Sequence, residues 1–164
     1  MLLEEQAMTT QTAASLAQDA RTAIVEALNQ SVAETAVATM LAQNFHWNVT
    51  GMAFGPLHDL FQKIYEDHFV AQDDLAERIK ALDGFAEGTL AGMLKRSKVK
   101  EHEGTASDQE MIRMMQQAQE TLAATLAEAG EIAASHGDTL TEDLCIARGQ
   151  EHEKFAWFLR SHLR

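Results

Sequence analysis

The sequence predicts an all-α protein, a four-helix bundle whose second and third helices are joined by one long crossover. Three observations carry this. One proline and nine glycines stand among 164 residues, while Ala, Leu, Glu and Gln abound, a composition that favours helix. Apolar residues recur at spacings of three and four along four long stretches. Two connections between those stretches are tight and one is long, the pattern of a bundle with a single crossover.

The first helix is expected over residues 12–48, with Ile24, Val25, Leu28, Val32, Met40 and Leu41 in its apolar stripe. The second runs over 56–82 on Leu57, Phe61, Ile64, Leu75, Ile79 and Leu82. Pro56 suits a first helical position and Gly84 a helix end. The third spans 108–135 and opens with a capping box, Ser107 with Glu110. The fourth spans 140–162 and opens with Thr139 and Glu142 after Gly137. The link TGMAFG makes the first two helices antiparallel neighbours, and the last two are joined as tightly. Within the crossover, GTLAGMLKRS predicts a short helix. The whole chain, 1–164, reads as one domain with a flexible N-terminal tail over about 1–11.

The formal charge is −12, which discourages contact with nucleic acid and anionic lipid and suits attraction of cations. Arg21 is the only positive side chain before Lys63. The one basic cluster, Lys95, Arg96, Lys98 and Lys100, lies in the crossover and is a poor DNA footprint. Weak or no DNA binding is therefore expected. The N-terminus has no basic segment followed by an apolar core, so no signal peptide is read there. No apolar run approaches the ~20 residues of a membrane span. The lone Cys145 excludes an internal disulfide and a cysteine-based zinc site. These features fit a cytoplasmic protein.

The chemistry concentrates in NFHWNVTGMAFGPLHDLFQKIYEDHFVAQDDLAER, residues 44–78. His58 and Gln62 are four apart and share a helix face, as do Asp73 and Glu77. His46, at the end of the first helix, folds back towards His58. Imidazole with carboxylate suits iron, manganese or zinc. On one helix, however, His58 and Asp73 stand roughly 22 Å apart, and nothing between them breaks the helix. Two copies of the second helix, set antiparallel across a two-fold axis, remove the difficulty. His58 of one copy then faces Asp73 and Glu77 of the other, giving two equivalent sites per dimer. The chain has no Glu-x-x-His, the motif of di-iron centres inside a single bundle.

This stretch resembles the Dps mini-ferritins, the DNA-binding proteins from starved cells. The resemblance rests on His46-Trp47, on His58 twelve residues later, on Asp73 and Glu77 followed by Arg78, and on FAWFLRSHL near the end. It covers about residues 12–163. It implies a ferritin-like bundle and a homo-oligomeric shell of twelve copies. It implies ferroxidase sites at dimer interfaces, with His46, His58, Asp73 and Glu77 as metal ligands and catalytic residues. There Fe(II) is oxidised, commonly by hydrogen peroxide and otherwise by dioxygen, and stored as ferric mineral, which protects against oxidative stress. Trp47 beside the site is a candidate sacrificial electron donor. Asp138, Glu142 and Asp143 are candidates for an iron-entry pore, against plain helix capping.

Two departures from the family stand out. Gln62 occupies a position that usually carries a carboxylate, so the His58 side is expected to hold metal loosely or through water. Asp59 is a poor substitute, pointing roughly 60° around the helix from Gln62. The N-terminus also lacks the lysine-rich tail of DNA-compacting members. The alternative is a structural, DNA-shielding or other-metal shell with a weakened ferroxidase site. Of the remaining residues, His68 is expected to be structural or on the surface, and His102, His136, His152 and His162 on the surface. Met111, Met114 and Met115 are expected in the core, and Cys145, Trp47 and Trp157 in packing roles.

Overall fold

The computed structural model describes residues 12–164. The expected tail over 1–11 lies outside the described residues. A 3-10 turn, Ala13–Ser15, precedes α1 (Gln18–Asn48), α2 (Phe54–Ala81), α3 (Leu90–Arg96), α4 (Asp108–Ser135) and α5 (Thr139–Ser161). α1 packs on α2 and α4, α5 packs on α4 and α2, and α3 lies on α1. The long helices thus close a ring in the order α1, α2, α5, α4. The architecture is the expected bundle with a short helix in its crossover.

The stripes read from the sequence face this ring, except at Met40, which is 46% exposed. Leu57, Phe61, Ile64, Leu75 and Ile79 of α2 are all fully buried. Phe61 meets Phe45 of α1 with ring centres 5.7 Å apart. Burying each such side chain contributes about 1.5–3 kcal/mol. Met111 and Met115 are core residues, as expected.

The helix ends differ from expectation in instructive ways. α1 begins at Gln18 because Leu16 and Ala17 are extended, which turns Leu16 into the core. α2 begins at Phe54, so Pro56 is its third residue; its missing N–H is one that a helix start leaves free in any case. At the other end of α2 the left-handed residue is Asp83, with φ 58°, and not Gly84. Gly84 N–H donates to Ile79 O at 2.9 Å and Asp83 N–H to Lys80 O at 3.0 Å, closing a Schellman motif. Gly84 is required for a different reason: a Cβ there would lie 2.6 Å from the Val25 side chain. α4 opens with the predicted Ser107–Glu110 capping box. α5 is capped by Asp138 and not by Thr139, Asp138 Oδ1 accepting from Thr141 N–H at 3.1 Å.

The crossover is fastened by polar residues of α1. Buried Asn29 donates to Phe85 O at 2.9 Å and accepts from Glu87 N–H at 3.0 Å. Gln30 donates to Arg96 O at 3.1 Å, and Asn44 to His102 O at 3.2 Å. Arg96 in turn forks onto Glu87 at 3.0 and 3.1 Å and also meets Glu26.

Across the bundle interior, His68 of α2, Gln119 of α4 and His152 of α5 form a fully buried polar layer. The expectation of a surface His152 is thereby corrected. His152 Nδ1–H donates to Gln119 Oε1 at 2.7 Å, and His68 Nε2 lies 3.3 Å from the same amide. Beside them Arg148 of α5 forks onto Asp67 of α2 at 3.1 and 2.5 Å. Burial pushes the His68 imidazole down to about 4, against the opposing pull of Asp67 and Gln119. Burial, with His68 and Arg148 beside it, also holds His152 well below its ordinary value.

Both folded-state values are depressed, so this contribution to stability is full above pH ~6.5 and is lost as pH falls towards 4. For His68 alone the loss between pH 7 and pH 5 is about 2 kcal/mol per chain. His68→Leu is expected to reduce by that amount the loss of unfolding free energy between pH 7 and pH 5, read by denaturant titration at the two pH values. Its constant packing cost drops out of a comparison between the two pH values. An unchanged pH dependence would refute the assignment.

Candidate metal centre

The turn between α1 and α2 builds one half of the centre. Val49 N–H donates to Phe45 O at 2.9 Å, Gly51 takes φ 105°, and Phe54 N–H donates to Gly51 O at 3.1 Å. The chain then re-enters helix with His58 directly beside His46. The two imidazoles stack with centres 3.7 Å apart and planes 21° from parallel. His46 Nδ1 donates to His58 O at 2.9 Å, and His58 Nδ1 donates to His46 O at 2.8 Å. A carbonyl can only accept, so each ring carries its proton on Nδ1 and keeps the Nε2 lone pair available for a cation. Tyr65 meets His46 edge-on at 5.3 Å. The sequence brought His46 towards His58, but not this reciprocal locking.

The other half stands further along α2. Asp73 and Glu77 are exposed on one face. Neither takes part in an ion pair among the described residues. The two cations near Glu77 in sequence are engaged elsewhere: Arg78 with Asp138, and Lys80 with Gly84 O at 2.6 Å. α2 runs unbroken over Phe54–Ala81. The structure therefore brings His46 and His58 together but leaves Asp73 roughly 22 Å from His58 within one chain. No group of three or more His, Cys, Asp or Glu side chains able to hold a metal gathers among the described residues.

Apart from His46, which α1 carries, these positions share the outward face of α2. Successive residues advance 100°, so His58, Gln62, Phe69, Asp73 and Glu77 fall within one third of the helix circumference. Phe69 and Val70 are 67% and 63% exposed. Met40, Phe85, Leu90 and Leu94 are exposed as well. An additional carboxylate, Glu66, lies on this face and accepts from Gln62 Nε2 at 2.7 Å. Its signal in the sequence is the four-residue step from Gln62, which puts the two on one helix face.

Other expectations are revised. Asp138 is fully buried in a cap, so it is not a free pore carboxylate; Glu142 is half-buried and Asp143 exposed. Trp47 and Trp157 are 64% and 53% exposed, which is not the packing role expected of them. Cys145, by contrast, is packed in the core as expected, and burial pushes its thiol up to about 12.

The chain matches the ferritin-like domain over residues 25–164. It is 33% identical to DNA protection during starvation protein 2 of Bacillus anthracis, over 85% of this chain and 96% of that one. The crystal structure of Dps from Staphylococcus aureus superposes with a TM-score of 0.85 at 35% identity, covering 92% of this chain and 99% of that one. The chain belongs to the Dps family of ferritin-like proteins. A Dps protein from Vibrio cholerae, described as one of the ferritin-like diiron-carboxylate proteins, superposes at 0.88 with 28% identity, covering 95% and 98%.

In this Dps chain the residue after Glu77 anchors the carboxylate half. Arg78 donates to Asp138 Oδ1 at 2.8 Å and to Thr141 Oγ1 at 2.8 Å. The clasp ties the end of α2 to the start of α5. The Arg78 side chain is 14% exposed and that of Asp138 not at all. Removing one partner of a buried pair leaves the other charge uncompensated. Arg78→Leu is expected to cost about 3–5 kcal/mol per chain, read as a lowered thermal midpoint. A wild-type midpoint would show the clasp to be dispensable.

Proposed function

We propose that this protein is an iron-storing mini-ferritin that oxidises Fe(II) at sites shared between two copies. One observation carries the reading: His58, with His46 of α1 stacked on it, and the carboxylates Asp73 and Glu77, unpaired among the described residues, occupy opposite ends of one outward, unbroken face of α2. An antiparallel second copy of α2 brings His46 and His58 of one chain to Asp73 and Glu77 of the other. The exposed apolar side chains along that face give the two copies something to bury. Membership of the Dps family supports both the assembly into a shell and iron as the substrate.

In this reading Asp73 and Glu77 supply anionic oxygens that favour the ferric state. The imidazoles, held by their Nδ1 hydrogen bonds, add neutral ligands without reorganising. Hydrogen peroxide accepts one electron from each of two Fe(II) and, with two protons, leaves as two waters. Paired delivery avoids hydroxyl radical. The assembly is a dodecamer working in the cytoplasm, storing the ferric product within its shell. Among the described residues, no helix is long and apolar enough to cross a membrane.

Asp73→Ala combined with Glu77→Ala is expected to abolish rapid Fe(II) oxidation in stopped-flow absorbance while the shell elutes at its normal size. Both carboxylates are exposed and, among the described residues, take part in no ion pair, so the described fold does not depend on them. Wild-type rates in that variant would sink the assignment.

Weak or absent DNA binding belongs to the same reading. Of the basic cluster, Arg96 is bound to Glu26 and Glu87, and Lys98 lies 3.6 Å from Glu128. The net charge of −12 opposes a polyanion. Gel retardation at low and physiological salt should show no complex at the higher concentration; a persistent shift would contradict the charge argument. Gln62 favours a second reading, a shell for another divalent metal such as zinc, and metal analysis of the purified protein separates the two.

A further inference from the structure

We infer that Glu66 is a positioning residue for a second divalent cation at the same interfacial site. It supplies, through the side chain of Gln62, the negative charge that position 62 lacks. The inference rests on the interfacial reading above and extends it to a residue outside the proposed ligand set.

His58, Gln62 and Glu66 stand on successive turns of α2, each pair about 6 Å apart along the axis. Side chains on neighbouring turns can reach a common ion, so His58 Nε2 and Gln62 Oε1 are the natural pair. An amide oxygen is a neutral and weak ligand for a hard cation. Here the amide is not alone: Gln62 Nε2–H donates to Glu66 Oε1 at 2.7 Å. That bond fixes which end of the amide points away from Glu66. It leaves Gln62 Oε1 without a hydrogen-bond partner among the described residues. A carboxylate accepting from the amide nitrogen also draws electron density towards the amide oxygen, the usual manner in which an outer partner strengthens a metal ligand.

The rest of the surroundings agrees. Glu66 has no ion-pair partner among the described residues, so its charge is not spent on a lysine or arginine. His58 is fixed by its bond to His46 O, so its Nε2 does not compete for Gln62. Asp59, the carboxylate nearest in sequence, is 100° around the helix from His58. The carboxylate that position 62 lacks has thus moved one turn along the same face, with an amide relaying it. An ordinary exposed Gln–Glu pair at this spacing adds only slightly to helix stability and has no bearing on cation affinity, which is what the test separates.

The test titrates the metal-free assembled protein with Co(II), a redox-stable substitute for Fe(II), under calorimetry and visible absorption. Wild type is expected to bind two cations per chain, one tight and one weaker. Glu66→Gln should weaken the second by about 10–100-fold, with the first held as in wild type. Gln62→Glu added to Glu66→Gln moves the charge back one turn without changing its total, and should restore the second cation. The inference is overturned if Glu66→Gln binds as wild type does, whether wild type takes one cation or two. It is equally overturned if the double variant stays as weak as Glu66→Gln. The interfacial reading fails separately: in that case Asp73→Ala with Glu77→Ala would lose no cation at all.

Discussion

The continuity of α2 is the constraint on which the rest depends. Its eight turns run from Phe54 to Ala81 without a break. One side is filled by Leu57, Phe61, Ile64, Leu75 and Ile79 and cannot turn outward without emptying the core. The other side must therefore face away from its own bundle. Whatever chemistry His58, Asp73 and Glu77 perform, they perform on a surface and at two separated places. A second copy is the simplest object that joins them, and the symmetry of a two-fold axis then requires the site to appear twice.

The interior of the bundle has been put to other use. Where the four helices converge, His68, Gln119 and His152 occupy the space, tied to one another and flanked by the Asp67–Arg148 pair. The imidazoles are held neutral by burial. Such a layer specifies which helix faces which, since an amide that must serve two rings admits few alternative registers. The crossover is specified by the same means: the Asn29 amide grips both Phe85 O and Glu87 N–H, so the long connection lies along α1.

Much of this was legible in the sequence because periodicity reports burial directly. The α4 limits followed from Ser107, Glu110 and the apolar stripe, and the short helix in the crossover from its own composition. The outward positions of His58, Asp73 and Glu77 followed from helix geometry alone. What was not legible required partners distant in the chain. His152 resembled a surface residue because its neighbours Glu151 and Glu153 are charged, while its burial depends on Gln119 across the bundle. Asp138 resembles a pore carboxylate in sequence because Arg78, which holds it, lies sixty residues earlier. Gly84 does stand at the helix end that the sequence implies, but the contact that demands a glycine there is with Val25 on another helix.

The reciprocal histidine bonds have a consequence for how this site can change. His46 O belongs to the last turn of α1, where carbonyls lack partners within the helix, and His58 Nδ1 satisfies it. The imidazole half of the site is thus also a joint of the α1–α2 hairpin. The carboxylate half has no such second duty. Asp73 and Glu77 can be exchanged without loosening anything in their own chain, whereas His46 and His58 cannot. If the proposed site holds metal, variation in its preference has one free half to explore and one half that the architecture holds fixed.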